Sequence, residues 1–170
     1  MDALEVIFTR RSIRKFTGEP VAPETIKTLL EAAMSAPTAA GVQPWRFIVV
    51  TDRAMLDAVP AVQPSASMIL DAPLAILVCG DTTSETYGSY WVQDCSAAMQ
   101  NLLLAARALG LGSCWCGIHS RPQREEGIRK LFKLPPEISP LGLAVIGHPA
   151  VPFTTKDRYD EAKIRHNVWS

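Results

Sequence analysis

Charge of one sign is the first thing this chain lacks. Seventeen Lys and Arg meet seventeen Asp and Glu, so the formal net charge is zero at neutral pH. A general electrostatic pull toward nucleic acid or an anionic membrane is therefore not expected. Long apolar runs are missing as well. The longest uncharged, largely apolar stretch in a helix-like segment runs from Cys95 to Ala106 and contains Ser96, Gln100 and Asn101. It falls short of the roughly 20 residues that a spanning helix needs. The first residues, Met1-Asp2-Ala3-Leu4-Glu5, hold acids where a secretory leader places bases and then an apolar run. A cytoplasmic protein is expected. No CxxC pair exists among Cys79, Cys95, Cys114 and Cys116. Cys114 and Cys116 share a strand face and His119 is near, but a fourth ligand is missing, so free thiols are expected and no metal.

The usual chemical signatures are absent too. Gly112 and Gly117 have the spacing of a phosphate loop, but Ile118 and His119 follow where Lys and Ser or Thr belong. Gly110 and Gly112 follow a helix and precede a strand, the reverse of a dinucleotide fingerprint. Nucleophile elbows, paired zinc-type histidines and kinase signatures do not occur. His119, His148 and His166 have no evident acid and nucleophile companions. Such a chain does not look able to do chemistry with its own side chains, which suits a protein whose reactivity comes from a cofactor.

What is present is a local concentration of positive charge. Arg10, Arg11, Arg14 and Lys15 fall within six positions, and no acid lies between Glu5 and Glu19. Guanidinium forks beside Ser12 suit phosphate oxygens; the other reading is a solvated surface turn. Around it the pattern predicts alternating elements. Asp2 caps a short helix with Leu4, Ile7 and Phe8 as its buried stripe. A second helix opens at Pro23, carries Ile26, Leu29, Leu30, Ala33 and Met34 at the 3.6 period, and stops before Pro37. Residues Pro37 to Pro44 are irregular. Strands are predicted over Trp45–Thr51, Pro73–Gly80, Gly112–Ile118 and Leu141–Gly147. Further helices are expected over Arg53–Val59, Trp91–Leu109 and Gln123–Phe132, with a loop from Pro60 to Ser67 and a polar connection from Asp81 to Tyr90. The extended basic tail from Val151 has its apolar residues spaced too widely to build a core alone. One domain of α/β (α+β) type, residues 1–170, follows from the length and this order.

These residues also carry a resemblance. Arg10-Arg11-Ser12-Ile13-Arg14-Lys15-Phe16 resembles the opening signature of the nitroreductase family of flavin enzymes, and Ala36 to Trp45 resembles its second motif. Gly110 to Gly117, Leu143 to Pro149 and Lys156-Asp157-Arg158 resemble later blocks, in order along nearly the whole chain. The resemblance implies a three-layer fold, a mixed or antiparallel sheet of four to five strands covered by helices, with the tail packed on a partner subunit. It implies an FMN-dependent homodimer with two sites at the interface, using NADH or NADPH as reductant.

By position, Arg10, Ser12 and Arg158, with Arg11 and Lys156, would hold the FMN phosphate and ribityl chain. Arg14 would sit near the N1–O2 edge of the ring. Pro37, Thr38, Ala39 and Gln43 would reach the flavin of the other subunit, and the backbone of Cys116 and Gly117 would lie at the N5 edge. The chain departs from the family at Gly41, usually Asn, and at Cys116, usually Ile or Glu. The expected activity passes hydride from NAD(P)H through flavin N5 to an electrophilic acceptor such as a nitroaromatic or quinone, with ping-pong kinetics. The rivals are a relative that dehalogenates, desaturates or oxidises one metabolite, a flavin-binding regulatory protein without turnover, and a colourless anion-binding module.

Overall fold

A computed structural model describes residues 1–84 and 89–169. The frame is a sheet of β1 (Trp45–Val50), β2 (Leu74–Asp81), β3 (Gly112–Gly117) and β4 (Ile138–Gly147). Their spatial order is β1-β2-β4-β3 and every neighbouring pair is antiparallel. The uninterrupted apolar run of β2 needs cover on both faces, and it has it. Leu74, Ile76 and Val78 enter one core with Trp45, Ala144 and Ile146, whereas Ala75, Leu77 and Cys79 enter the other with Cys114, Cys116, Leu143 and Val145. The period of two along each strand divides the apolar side chains between the two faces.

Helices complete three layers. On the first face lie α2 (Pro23–Met34), through Leu29 and Ala33, and α4 (Trp91–Ala108), through Cys95, Ala98, Met99 and Leu102. On the second lie α3 (Arg53–Val62), α5 (Pro122–Phe132) and a 3-10 segment, Pro64–Asp71. Gly110, at φ +78°, closes α4 in the left-handed conformation that glycine adopts without steric cost.

Three departures from the sequence-based expectation have physical reasons. Helix α3 continues through Pro60 to Val62, and the segment expected as loop is largely the 3-10 run from Pro64. Pro64 stands at a first position, where its missing N–H is not needed, and Ala66 and Ile69 anchor the run in the core. Strand β4 begins at Ile138 and includes Pro140, which is accommodated where the register with β2 shifts between Val78 and Cys79. The third departure concerns α1 (Ala3–Thr9). Asp2 caps it as expected, accepting from the Glu5 N–H at 3.0 Å. Its predicted stripe is not buried, however: Leu4, Ile7 and Phe8 are 61%, 48% and 64% exposed, and only Val6 enters the core. The periodicity is that of an apolar face, but this face points away from the chain.

Within the expected polar connection, Asp81 ends β2 and Thr82–Ser84 form a 3-10 turn, while residues 85–88 lie outside the described residues. The four cysteines are free and buried. Beyond Phe153 the tail runs exposed to Trp169, with one short 3-10 turn at Glu161–Lys163.

Candidate functional site

The basic stretch is laid down by two apolar pegs. Ile13 and Phe16 are buried. Ser12 bridges Ser113 of β3 in parallel, with the Ile13 N–H donating to the Ser113 carbonyl at 2.9 Å, and Phe16 bridges Pro149. The residues between and before them therefore run along the outer edge of β3, at the rim of the sheet.

There the tail comes back to meet them. Arg10, Arg11, Lys156 and Arg158 line one pocket of about 570 Å³, together with Ile7 and Phe8 of α1 and Gln100 of α4. Arg11 ties the two segments together, donating to the Arg10 carbonyl at 2.7 Å and to the Lys156 carbonyl at 3.3 Å. Its Nε is buried without a hydrogen-bond partner. Burial first, and then the neighbouring charges of Arg11 and Arg158, push the Arg10 pKa down. Among the described residues no ion pair engages Arg10, Arg11, Arg14, Lys156 or Arg158. The carboxylate that lines the pocket, Asp157, accepts from the Tyr159 N–H at 3.0 Å. Cations crowded against one another, one with an orphan donor, form a cradle for an anion.

Ser12 and Arg14 sit farther along the same edge. Both act on Cys114, whose thiol is drawn below its ordinary value by its hydrogen bond with Cys116 and, more weakly, by Arg14, Ser12 and Arg10. The same pairing, with burial, pushes Cys116 up. The Cys116 side chain points into the core, against the Ser65 carbonyl at 3.8 Å and the Met68 sulfur at 3.9 Å. The Cys116 side chain is therefore withheld from a ligand at this edge.

The loop holding Pro37, Thr38, Ala39 and Gln43 is not brought to the cationic pocket within one chain. Asp94, buried on α4, fixes it by accepting from the Ala39 N–H at 3.1 Å. Ala40, Gly41 and Gln43 take positive φ of 49°, 71° and 52°. This explains the departure at Gly41, because glycine and asparagine are the residues that visit the left-handed region most readily. Asp94, Gln100 and Gln63 escape the sequence reading; a polar residue inside an apolar helix (Asp94) or between Val62 and Pro64 (Gln63) was the available signal.

The profile of the nitroreductase family matches residues 7–67 and 59–148. The chain belongs to the nitroreductase family. A Methanothermobacter thermautotrophicus protein provisionally named NADH dehydrogenase/NAD(P)H nitroreductase is 47% identical over 169 residues, covering 99% of this chain and 88% of that one. A crystal structure of a Parabacteroides distasonis protein with the same provisional name superposes with a TM-score of 0.94 at 43% identity, covering 98% of each chain. A Desulfovibrio desulfuricans protein, provisionally a nitroreductase and solved in complex with FMN, superposes with a TM-score of 0.86 at 30% identity, covering 100% of this chain and 99% of that one. The nitroreductase fold thus accounts for the antiparallel sheet and its helical layers.

Proposed function

We propose that this nitroreductase-family oxidoreductase is a homodimer that holds FMN at the subunit interface and uses it to carry hydride from NADH or NADPH to an electrophilic acceptor such as a nitroaromatic or a quinone. The observation that carries the reading is the unpaired cation cradle of Arg10, Arg11, Lys156 and Arg158, with the Arg11 Nε buried and partnerless. A phosphate monoester fits such a cradle, since charge-assisted bonds to several guanidiniums are the strong ones. The residues present therefore fit FMN. Arg10, Arg11, Lys156 and Arg158 would take its phosphate, and Ser12 its ribityl chain. Arg14 would face the N1–O2 edge of the ring, and the backbone of Cys116 and Gly117 the N5 edge.

FMN supplies the hydride chemistry itself. This chain's part is to bind, orient and tune. Arg14 would be a cation beside the edge of the ring where reduction leaves negative charge, and charge placed there in advance favours reduction. Pro37, Thr38, Ala39 and Gln43 would meet the flavin of the partner subunit, where small side chains allow the backbone close to a flat ring. The exposed face of Leu4, Ile7 and Phe8 and the exposed tail residues Tyr159, Val168 and Trp169 supply apolar surface for the partner. Reduced nicotinamide and acceptor use one cleft in turn, which is the basis of ping-pong kinetics. No helix of the described residues is long and apolar enough to cross a membrane; we place the enzyme in the cytoplasm.

Titrating the purified protein with FMN tests this reading together with its stoichiometry. One FMN per chain is expected, bound by a species that sediments as a dimer. A monomer that retains FMN would rule out the shared site, and no uptake at all would favour a colourless anion-binding module.

A further inference from the structure

Gln63 is a polar side chain with no exposure at all. Burying a carboxamide is costly unless both of its ends are bonded, and here they are. Its Nε2 donates to the Gly117 carbonyl at 2.5 Å, and its Oε1 accepts from the Ser65 hydroxyl at 3.1 Å. Its main chain is fixed as well, at the junction between α3 and the following 3-10 segment: the N–H donates to Val59 and the carbonyl accepts from Ala66. A fully anchored side chain thus reaches across 54 positions of sequence to one carbonyl.

That carbonyl belongs to the last residue of β3. In an antiparallel pair, successive residues direct their N–H and C=O alternately toward and away from the partner strand. Ser113 presents its carbonyl away from β4, to Ile13, and Ile118 donates back toward β4, to Leu141. With the register unbroken between them, Ser113, Trp115 and Gly117 face outward, and Cys114 and Cys116 face β4. The Ser12–Ile13 segment covers this outer edge only at Ser113. Farther along, Gly117 is exposed, and a Cβ placed there would meet nothing within 4 Å. The Gly117 N–H therefore points outward from the sheet, on the same strand edge that the Ser12–Ile13 segment bridges at Ser113. A terminal glycine is also the residue least able to hold its own orientation. It is held from outside: besides Gln63, Arg124 donates to the same carbonyl at 3.3 Å.

We propose that Gln63 is a positioning residue of the flavin site, which pins Gly117 through its carbonyl, with Ser65 as its brace, and so fixes the outward Gly117 N–H against the ring. The inference rests on the reading that the end of β3 meets FMN. Its consequence is a bias between the two redox forms. Oxidised flavin offers a bare acceptor at N5, so a well-aimed N–H favours that form. Releasing Gly117 weakens oxidised FMN while leaving reduced FMN nearly as tightly bound.

The test uses the FMN-loaded dimer with Gln63→Leu, which keeps the side chain's bulk, and Ser65→Ala, at an exposed position that removes only the brace. Two quantities are read: the Kd for oxidised FMN and the midpoint potential from anaerobic spectroelectrochemical titration. In Gln63→Leu the Kd for oxidised FMN rises about tenfold and the potential rises by about 30 mV, the equivalent of a tenfold change for a two-electron couple. Ser65→Ala moves both the same way by a smaller factor, and it serves alone if Gln63→Leu does not fold. A wild-type potential in a folded Gln63→Leu overturns the proposal, and so does a wild-type potential in Ser65→Ala should Gln63→Leu not fold. Failure of the wild-type protein to bind FMN would instead remove the functional reading beneath it.

Discussion

Replacing Arg10 by alanine depletes the protein of FMN and leaves its fold in place. The two effects separate because of what surrounds Arg10. Among the described residues it has no acidic partner to lose, and its neighbours Arg11 and Arg158 already work against its charge, as does its burial. Removing it from the empty pocket relieves repulsion, so the apo protein unfolds at an unchanged or slightly higher temperature. With phosphate bound the balance reverses, since hydrogen bonds to a charged group contribute about 1.5–3 kcal/mol each, or roughly 10- to 100-fold in affinity. Arg158→Ala behaves alike. The double variant falls short of the product of the two single effects, because adjacent groups on one ligand are not independent. Flavin absorbance after gel filtration reads retention, and thermal unfolding of the apo protein reads the fold. FMN affinity equal to wild type in both single variants would reject the phosphate role.

The largest loss of stability is expected at the middle of β2. Leu77 is fully buried, pairs with Ile48 of β1 and Leu143 of β4, and points into the core beneath α3 and α5. Leu77→Ala removes buried methyl groups and leaves a cavity that a strand paired on both sides cannot close. Such truncations cost about 2–5 kcal/mol, against a total of about 5–15 kcal/mol for an ordinary domain. Urea denaturation should show an earlier midpoint with a similar slope, and the molecules that remain folded should still take up FMN. A loss below about 1 kcal/mol would mean that this core relaxes far more freely than its packing indicates. Phe8→Ser, by contrast, changes a side chain that is 64% exposed on the chain itself. It should leave the core's own stability nearly untouched and act on association between subunits.

The contrast between Leu77 and Phe8 also marks what the sequence makes legible. Period and composition locate the four strands because β2 and β4 are buried on both faces, where an apolar run has one meaning. The α1 stripe has the same apolar period, yet Leu4, Ile7 and Phe8 stay exposed among the described residues, and periodicity alone does not say who covers a face. Prolines mislead where the backbone tolerates them. Pro60 lies inside α3, Pro64 opens a 3-10 run, and Pro140 sits at a register shift.

For the site, the density of bases from Arg10 to Lys15 points to an anion without any fold. Its union with Lys156 and Arg158, however, is a tertiary fact that no local pattern carries; only the family resemblance placed those residues there, and in the structure they line one pocket. Gln63 is illegible for the opposite reason. Its meaning depends on one carbonyl 54 residues away.

The most direct test of the account is an anaerobic visible spectrum of the purified protein loaded with FMN, taken before and after adding NADH and, separately, NADPH. The oxidised flavin band should bleach with at least one of them and return when a nitroarene or quinone is added. A loaded protein whose flavin band is left unchanged by both nicotinamides would contradict the proposed activity and mark the chain as a flavin binder without turnover.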